Sequence, residues 1–502
     1  MNMVGTIFAI IPPLVAIILG LVTKKVNISL IIGILLGILF YSNFNPIKGI
    51  ENMFNLIINV VGSNMGVVLF LILLGMLVYL MNESGASKAY ARWAGEKLKT
   101  KKSSLLATFF LGVLIFVDDY FNCLTVGTVM KPITDKKGVS REKLAYIIDT
   151  TAAPICMIAP VSSWAAAVAS SVPTDSGING FNLFVSSILA NYYSLLSLIM
   201  VVMVIILNLD FGKMRKFEMD APYNLDIEVE ENTYDSDSRA KVIDLILPVL
   251  FLILSCIGCM LYTGGLFSGS GLLEAFMNCN AILSLCMGTF ITMLFVLVLY
   301  IPRKVMTFNK YMDALIEGFK NMVPSIVILG LAWSLGSVCG SDYLNAGAYL
   351  ESIVDKYNIA FGIMPLIFFI LAAFFAFSTG TSWGTFVILV PMCINLFNSV
   401  ESELMVITIA SILGGSVCGD HLSPISDTTI LSSTGAGCNH INHVQSQFFY
   451  GLFVAGFSSI GYIVAGFMEN KLIGLGVSVG LLFIGLGLLK GYYIYKEKKA
   501  LS

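Results

Sequence analysis

Thirteen apolar runs divide this 502-residue chain, at 5–22, 28–41, 56–81, 104–131, 144–170, 185–209, 242–263, 280–301, 323–339, 361–397, 404–420, 448–467 and 472–493. A helix needs about 20 mostly apolar residues to cross a bilayer, and backbone groups in hydrocarbon must be satisfied within a helix or a closed barrel. Runs of this length and number predict an all-α polytopic membrane protein. Charge agrees: Asp, Glu, Lys and Arg make up 12% of the chain, against about 25% in a soluble domain. The net charge of −2 gives no basic field for nucleic acid. The ten cysteines are scattered through apolar runs, and Cys256-x-x-Cys259 lies inside one. Packing, not a disulfide framework or redox motif, is the expected role. The N-terminus lacks a basic leader and a small-residue cleavage site, and reads as a retained first span.

Basic residues sort the linkers, because Lys- and Arg-rich loops stay cytoplasmic. Lys24 and Lys25 mark one such turn, and loop 82–104 holds Lys88, Arg92, Lys97, Lys99, Lys101 and Lys102. Loop 131–143 holds Lys131, Lys136, Lys137, Arg141 and Lys143, and the tail ends in Lys496, Lys498 and Lys499. Segments 171–184, 264–279 and 398–403 carry none, and 340–360 only Lys356. The run 104–131 therefore has basic loops on both flanks and Asp118 and Asp119 at its centre. A single crossing would strand one basic loop outside and leave costly charges in lipid. A re-entrant hairpin turning near Asp118–Asn122 removes both conflicts. The run 361–397, with flanks almost free of basic residues and the polar centre Ser378-Thr379-Gly380-Thr381-Ser382, predicts a second hairpin from the opposite side. About eleven spans remain, with the N-terminus outside and the C-terminus cytoplasmic.

The halves also repeat an order of features. Gly75–Gly85 and Gly330–Gly340 each precede a hairpin, and each hairpin precedes a broken helix, Thr150–Pro160 or Gly414–Pro424. One unit begins outside and the other inside, so the repeats are inverted, with discontinuous helices at the midplane as in secondary transporters. The expected organisation is N-terminal spans 1–55, a first repeat 56–209 and an acidic cytoplasmic linker 210–241. Connecting spans 242–322, a second repeat 323–493 and a tail 494–502 follow. Residues 218–237 hold eight Asp or Glu and no Lys or Arg, as a solvated linker would.

Four polar clusters fall at membrane depth: Asp118-Asp119-Tyr120-Phe121-Asn122, Asp149-Thr150-Thr151, Ser378–Thr385, and Asp420–Thr429. Carboxylates, hydroxyls and freed carbonyls are the ligands a hard cation such as Na⁺ prefers. Desolvation also eases protonation of a buried carboxylate, so one acid can bind either a proton or a metal cation. Asp118, Asp119, Asp149 and Asp420 are the candidate cation and proton carboxylates. Asn122, Thr150, Thr151, Ser378, Thr379, Thr381, Ser382, Ser423, Ser426 and Asp427 are candidate ligands, with Trp383 near the tip and His421 as a possible proton relay. The hydroxyls could equally serve loose backbone groups at the breaks. Cys438-Asn-His-Ile-Asn-His443 does not follow zinc spacing, so no transition-metal site is expected. Segment 427–447 reads as a cytoplasmic loop, although it has no Lys or Arg. No HExxH or Walker sequence is present, so enzyme chemistry is not expected.

The stretches FVDDYFNCLTVGTVMKPITDKKGVSREKLAYIIDTTAAPICMIAPVSSWAAAV, STGTSWGTFVILVP and GDHLSPISDTTILSSTGAG resemble the NhaC family of sodium/proton antiporters over residues 56–450. The resemblance implies two hairpins, inverted repeats, a homodimer and a multi-pass place in the cell membrane, for a bacterium the inner membrane. It implies Na⁺ and protons as partners and no cofactor. The expected function is sodium/proton antiport by alternating access. The alternative is sodium- or proton-coupled movement of an amino acid or small carboxylate, since the family is implied to include a sodium–lactate/proton–malate exchanger.

Overall fold

The computed structural model describes residues 3–501 except 24, 87–88, 91–92, 94–96, 174–175, 222–238, 273–274, 276–277, 341, 347, 350–351, 353–355, 357–359, 398–401 and 425. Most of the acidic linker and the 398–403 turn therefore lie outside the described residues. Helices account for the regular structure, and no strand occurs among the described residues. In chain order, α1 is Ile11–Thr23, α2 Val26–Tyr41, α3 Pro46–Ser63, α4 Met65–Glu83, α5 Lys101–Leu114, α6 Asp119–Asp135 and α7 Arg141–Cys156. Then come α8 Ser163–Ser171, α9 Gly180–Ser187, α10 Tyr192–Leu207, α11 Gly212–Asp220, α12 Ile243–Thr263, α13 Ala281–Tyr300 and α14 Phe308–Cys339. The second half ends with α15 Met364–Thr379, α16 Ser382–Leu396, α17 Glu403–Leu422, α18 Asp427–Ala436, α19 His440–Met468 and α20 Lys471–Leu501.

Both expected hairpins are closed. At the first, Lys101 at the start of α5 donates to the Gly138 carbonyl beyond α6 at 2.9 Å, so the two arms begin and end together. Its turn falls at Ile115–Asp118, slightly earlier than the sequence placed it, because Asp118 is the N-cap of α6 and accepts from the Phe121 amide at 3.0 Å. At the second, Phe361 before α15 meets Phe397 after α16 with ring centroids 5.6 Å apart. That hairpin turns at Gly380, which takes the left-handed conformation (φ 70°) that favours glycine.

The helix contacts repeat in pairs, as an internal repeat requires. Within each half, α5 packs on α7 and α15 on α17, α6 on α7 and α16 on α17, α5 on α10 and α15 on α19. Between halves, α6 packs on α18 and α16 on α8. Seven helices among the described residues are long and apolar enough to span a bilayer, and α9–α10, bent by 47°, forms an eighth candidate. Apolar helices of 10–17 residues include those of the first two runs and the arms of the second hairpin; the first two runs and the broken run 144–170, split into α7 and α8, are the expected spans that this count leaves out.

Lipid gives helices little hydrophobic reason to associate, so close backbone packing has to hold them. The α6–α18 crossing shows this: a Cβ on Gly127 would lie 2.6 Å from the Gly435 backbone. Likewise a Cβ on Gly419 of α17 would lie 2.1 Å from the Ala373 carbonyl of α15. Helix α17 is protein-covered over its whole length, whereas α20 faces outward over most of its own. Segment 427–447 is not a loop. Ser426 caps α18 by accepting from the Thr429 amide at 3.2 Å, and Gly437 (φ 69°) ends it. It lacks basic residues because it is packed on α6 and α7 and not on water.

One face gathers the basic loops. Lys143 pairs with Asp210 at 2.8 Å and Lys101 with Glu218 of α11 at 2.5 Å. Arg215 of the same helix sits 4.4 Å from the Tyr493 ring near the C-terminus.

Candidate functional site

Four short helices start at the centre of the protein. Helices α6 and α8 are joined there by the Ser163 amide donating to the Val117 carbonyl at 3.0 Å. Helices α8 and α16 meet through Trp164 and Trp383, ring centroids 6.0 Å apart. Helices α6 and α18 meet where the Tyr120 hydroxyl donates to Asp427 at 3.3 Å. Each N-terminus carries partial positive charge, which favours anionic groups beside it. The caps are Asp118, Ser162, Thr381 and Ser426.

Negative side chains occupy that focus. Asp118, Asp119 and Asp420 are 2%, 2% and 3% exposed, and Asp119 lies close enough to both of the others for their charges to interact. Asp119 accepts its neighbour's amide, Tyr120, at 3.1 Å, and the Trp164 indole N–H stands beside it. Asp420 accepts from Thr428 Oγ1 at 2.7 Å, and Ser426 Oγ lies 3.1 Å from that hydroxyl. Asp427 is exposed, with Tyr120 its partner. These acids keep oxygens free for a cation.

Asp149 is different. It accepts from Gln447 at 2.6 Å and from Thr429 and Ser432 at 3.2 Å each, and His443 Nε2 lies 3.6 Å away. Three donors fill most of a carboxylate's capacity, so Asp149 ties α7 to α18 and α19 and faces an imidazole. His421, one residue after Asp420, meets the Tyr193 hydroxyl through Nδ1 at 3.2 Å, and its Nε2 has no partner.

The neutral candidates divide in two. Thr151 hydrogen-bonds within its own helix to Ile147 at 2.8 Å, and Thr379 to Phe375 at 2.8 Å. Ser423 donates to Phe377 at 2.6 Å and Ser382 to Ser416 at 3.1 Å, fastening the second tip to the broken helix. Asn122 uses its amide nitrogen on the Gly112, Ile115 and Thr151 carbonyls, closing the first tip. Its Oδ1, however, is buried without a partner, as is the hydroxyl of Thr125, while the Ser163 hydroxyl stands beside Asp118 and that of Thr150 beside Tyr146. Such oxygens are costly to leave unpaired and are the ligand type a hard cation takes. Ser378 belongs to α15. No group of three His, Cys, Asp or Glu able to hold a metal ion occurs among the described residues.

Gln447, Ser432 and Tyr193 were not singled out from the sequence, and His443 was weighed only as part of a metal motif. The available signal was the α19 start: an Asn439 cap followed by His443 and Gln447 four apart, hence on one face.

A cavity of about 400 Å³ lies on the face away from the basic loops, between α3, α14 and the far ends of α8 and α16. Val387, one turn beyond Trp383, is part of its wall.

Two closed hairpins beside broken helices and buried acids, in an apolar helical body, define a secondary transporter of the membrane. A family model described as the Na⁺/H⁺ antiporter family matches residues 165–467, and the chain belongs to that family. An uncharacterized protein of Haemophilus influenzae is 39% identical over 491 residues, covering 94% of this chain and 93% of that one. The malate-2H⁺/Na⁺-lactate antiporter of Bacillus subtilis is 28% identical over 229 residues, 45% of each chain. Among solved structures, the YdaH transporter of Alcanivorax borkumensis aligns with a TM-score of 0.45 at 12% identity over 83% of this chain and 88% of that one. MtrF of Neisseria gonorrhoeae aligns with a TM-score of 0.40 at 13% identity over 84% of each.

Proposed function

We propose that the protein is a sodium/proton antiporter of the cell membrane, working by alternating access. The reading is carried by one observation: Asp119 and Asp420, one from each half of the chain, are buried within charge-interaction range of each other, Asp119 at the start of α6 and Asp420 near the end of α17. Two carboxylates held that close in a dry interior cannot both stay charged without compensation. Either a Na⁺ sits between them or a proton does, and that exclusion is the coupling. Asp118, with the unpaired oxygens of Asn122 and Thr125 and the hydroxyl of Ser163 beside it, completes an oxygen-rich surround. His443 and His421, on either side of Asp149, are the groups we assign to holding a proton between turnovers.

The basic face is assigned to the cytoplasm by the positive-inside rule. That places the C-terminus inside and, with the expected number of spans, the N-terminus outside. A homodimer is part of the same proposal, from the family resemblance. In proteoliposomes, adding external NaCl should make the lumen alkaline as Na⁺ enters and H⁺ leaves. The absence of any sodium-driven pH change would refute antiport. A second reading, coupled transport of an organic solute, is favoured by the 400 Å³ cavity, which exceeds what a bare ion needs.

A further inference from the structure

The ion chemistry above leaves the cavity between α3, α14, α8 and α16 unused. At about 400 Å³ it falls in the range of small-molecule sites, about 300–1,000 Å³. Its lining combines three features. Asn59, Asn64 and Asn395 present side-chain amides, and Trp333 and Tyr343 supply aromatic surface. The one ionisable carboxylate is Asp342, exposed at the edge, and no Lys, Arg or His is among the described lining residues. The sequence around it agrees, since 171–184 and 398–403 have no basic residue.

That combination selects by charge. An organic anion would meet a carboxylate and no cation to offset its desolvation. A bare Na⁺ has no use for aromatic walls. An ammonium group gains from both, through attraction to aromatic faces and to Asp342, while amides and hydroxyls satisfy its N–H donors and apolar wall residues such as Val387 cover a short alkyl chain. The wall also stops one helical turn, about 6 Å at 1.5 Å per residue, from Trp383, whose ring packs on Trp164 directly beside Asp119. A solute held there would stand next to the coupling acids with only the paired indoles between.

We propose that this cavity is a binding site for a small aliphatic amine in its ammonium form, open to the face opposite the basic loops. The proposal rests on the transporter reading for what the site is for, but its chemistry stands on the lining alone. The test is calorimetric titration of the full chain in lipid nanodiscs with n-butylammonium chloride, putrescine dihydrochloride, NaCl and sodium L-malate at constant ionic strength. Saturable binding of the two amines, with malate giving none, is the expected result. Asp342→Asn should weaken amine binding about three- to tenfold, and Asp342→Lys should abolish it. Asp342 is exposed, so both variants should fold, which their unliganded melting temperatures will verify. No saturable amine binding, malate binding as tight as the amines, or unchanged affinity in both variants would overturn the site. Sodium-driven pH change, measured on the same preparation in proteoliposomes, separates the two ideas. Amine binding without that flux upholds the cavity and refutes antiport; flux without amine binding refutes the cavity alone.

Discussion

Asp119 and Asp420 bear the most weight among single residues. Asp119→Asn and Asp420→Asn should each reduce sodium-coupled proton flux to background while leaving the melting temperature close to that of the unaltered protein, because an amide of the same shape removes only the charge. Normal flux in both would make these acids structural. Gln447→Leu should act differently. It strips the 2.6 Å donor from buried Asp149 and should cost about 1–3 kcal/mol, read as a lowered melting temperature. The acids were legible in the sequence because a carboxylate inside an apolar run is expensive and so stands out. Gln447 and Ser432 were not. An amide and a hydroxyl are cheap in a polar segment, and their partner Asp149 lies about 300 residues away in the chain. The tip hydroxyls read as candidate ion ligands from the sequence; in the structure Thr379 and Ser423 donate to the Phe375 and Phe377 carbonyls.

The two hairpins were the most readable elements, since basic residues on both flanks of an apolar run leave few other topologies. Their closure can be tested directly. Phe361→Cys combined with Phe397→Cys should be joined by a flexible bifunctional maleimide, given side chains whose rings meet 5.6 Å apart; failure to crosslink would open the second hairpin. The base of the first hairpin is held by Glu218 of α11, which accepts from the Ser140 amide at 2.7 Å and pairs with Lys101. Burial would raise this carboxyl, but the Lys143 and Lys101 charges outweigh it and hold it below its ordinary 4.5. A carboxyl that titrates lower when folded stabilises the protein above its unfolded value and loses that contribution as pH falls through the folded value. Glu218→Gln should therefore lower stability by about 3 kcal/mol near neutral pH. The gap to the unaltered protein should close in acid, below about pH 4. A gap independent of pH would mean that Glu218 acts by packing. Helix α18 was missed as an element because buried contact with α6 and α7, not periodicity, is what makes its sequence helical.

For the molecule as a whole, the all-helical membrane class followed from the apolar runs and the scarcity of charge. The number of crossings did not follow, because re-entrant arms and short broken helices carry the same apolar signal as full spans. Sidedness is a claim at this scale. Asp342→Cys should react with a membrane-impermeant maleimide on intact cells, and Lys213→Cys only after permeabilisation; the reverse pattern would invert the topology. Alternating access depends on the acids of the two halves sharing one binding event, and that can be measured without transport. Adding NaCl to the purified, weakly buffered protein should release protons in a saturable way, with KCl as the ionic-strength control. Asp119→Asn and Asp420→Asn should release none. Sodium binding with no proton released, or release undiminished in both variants, would contradict competition at this site.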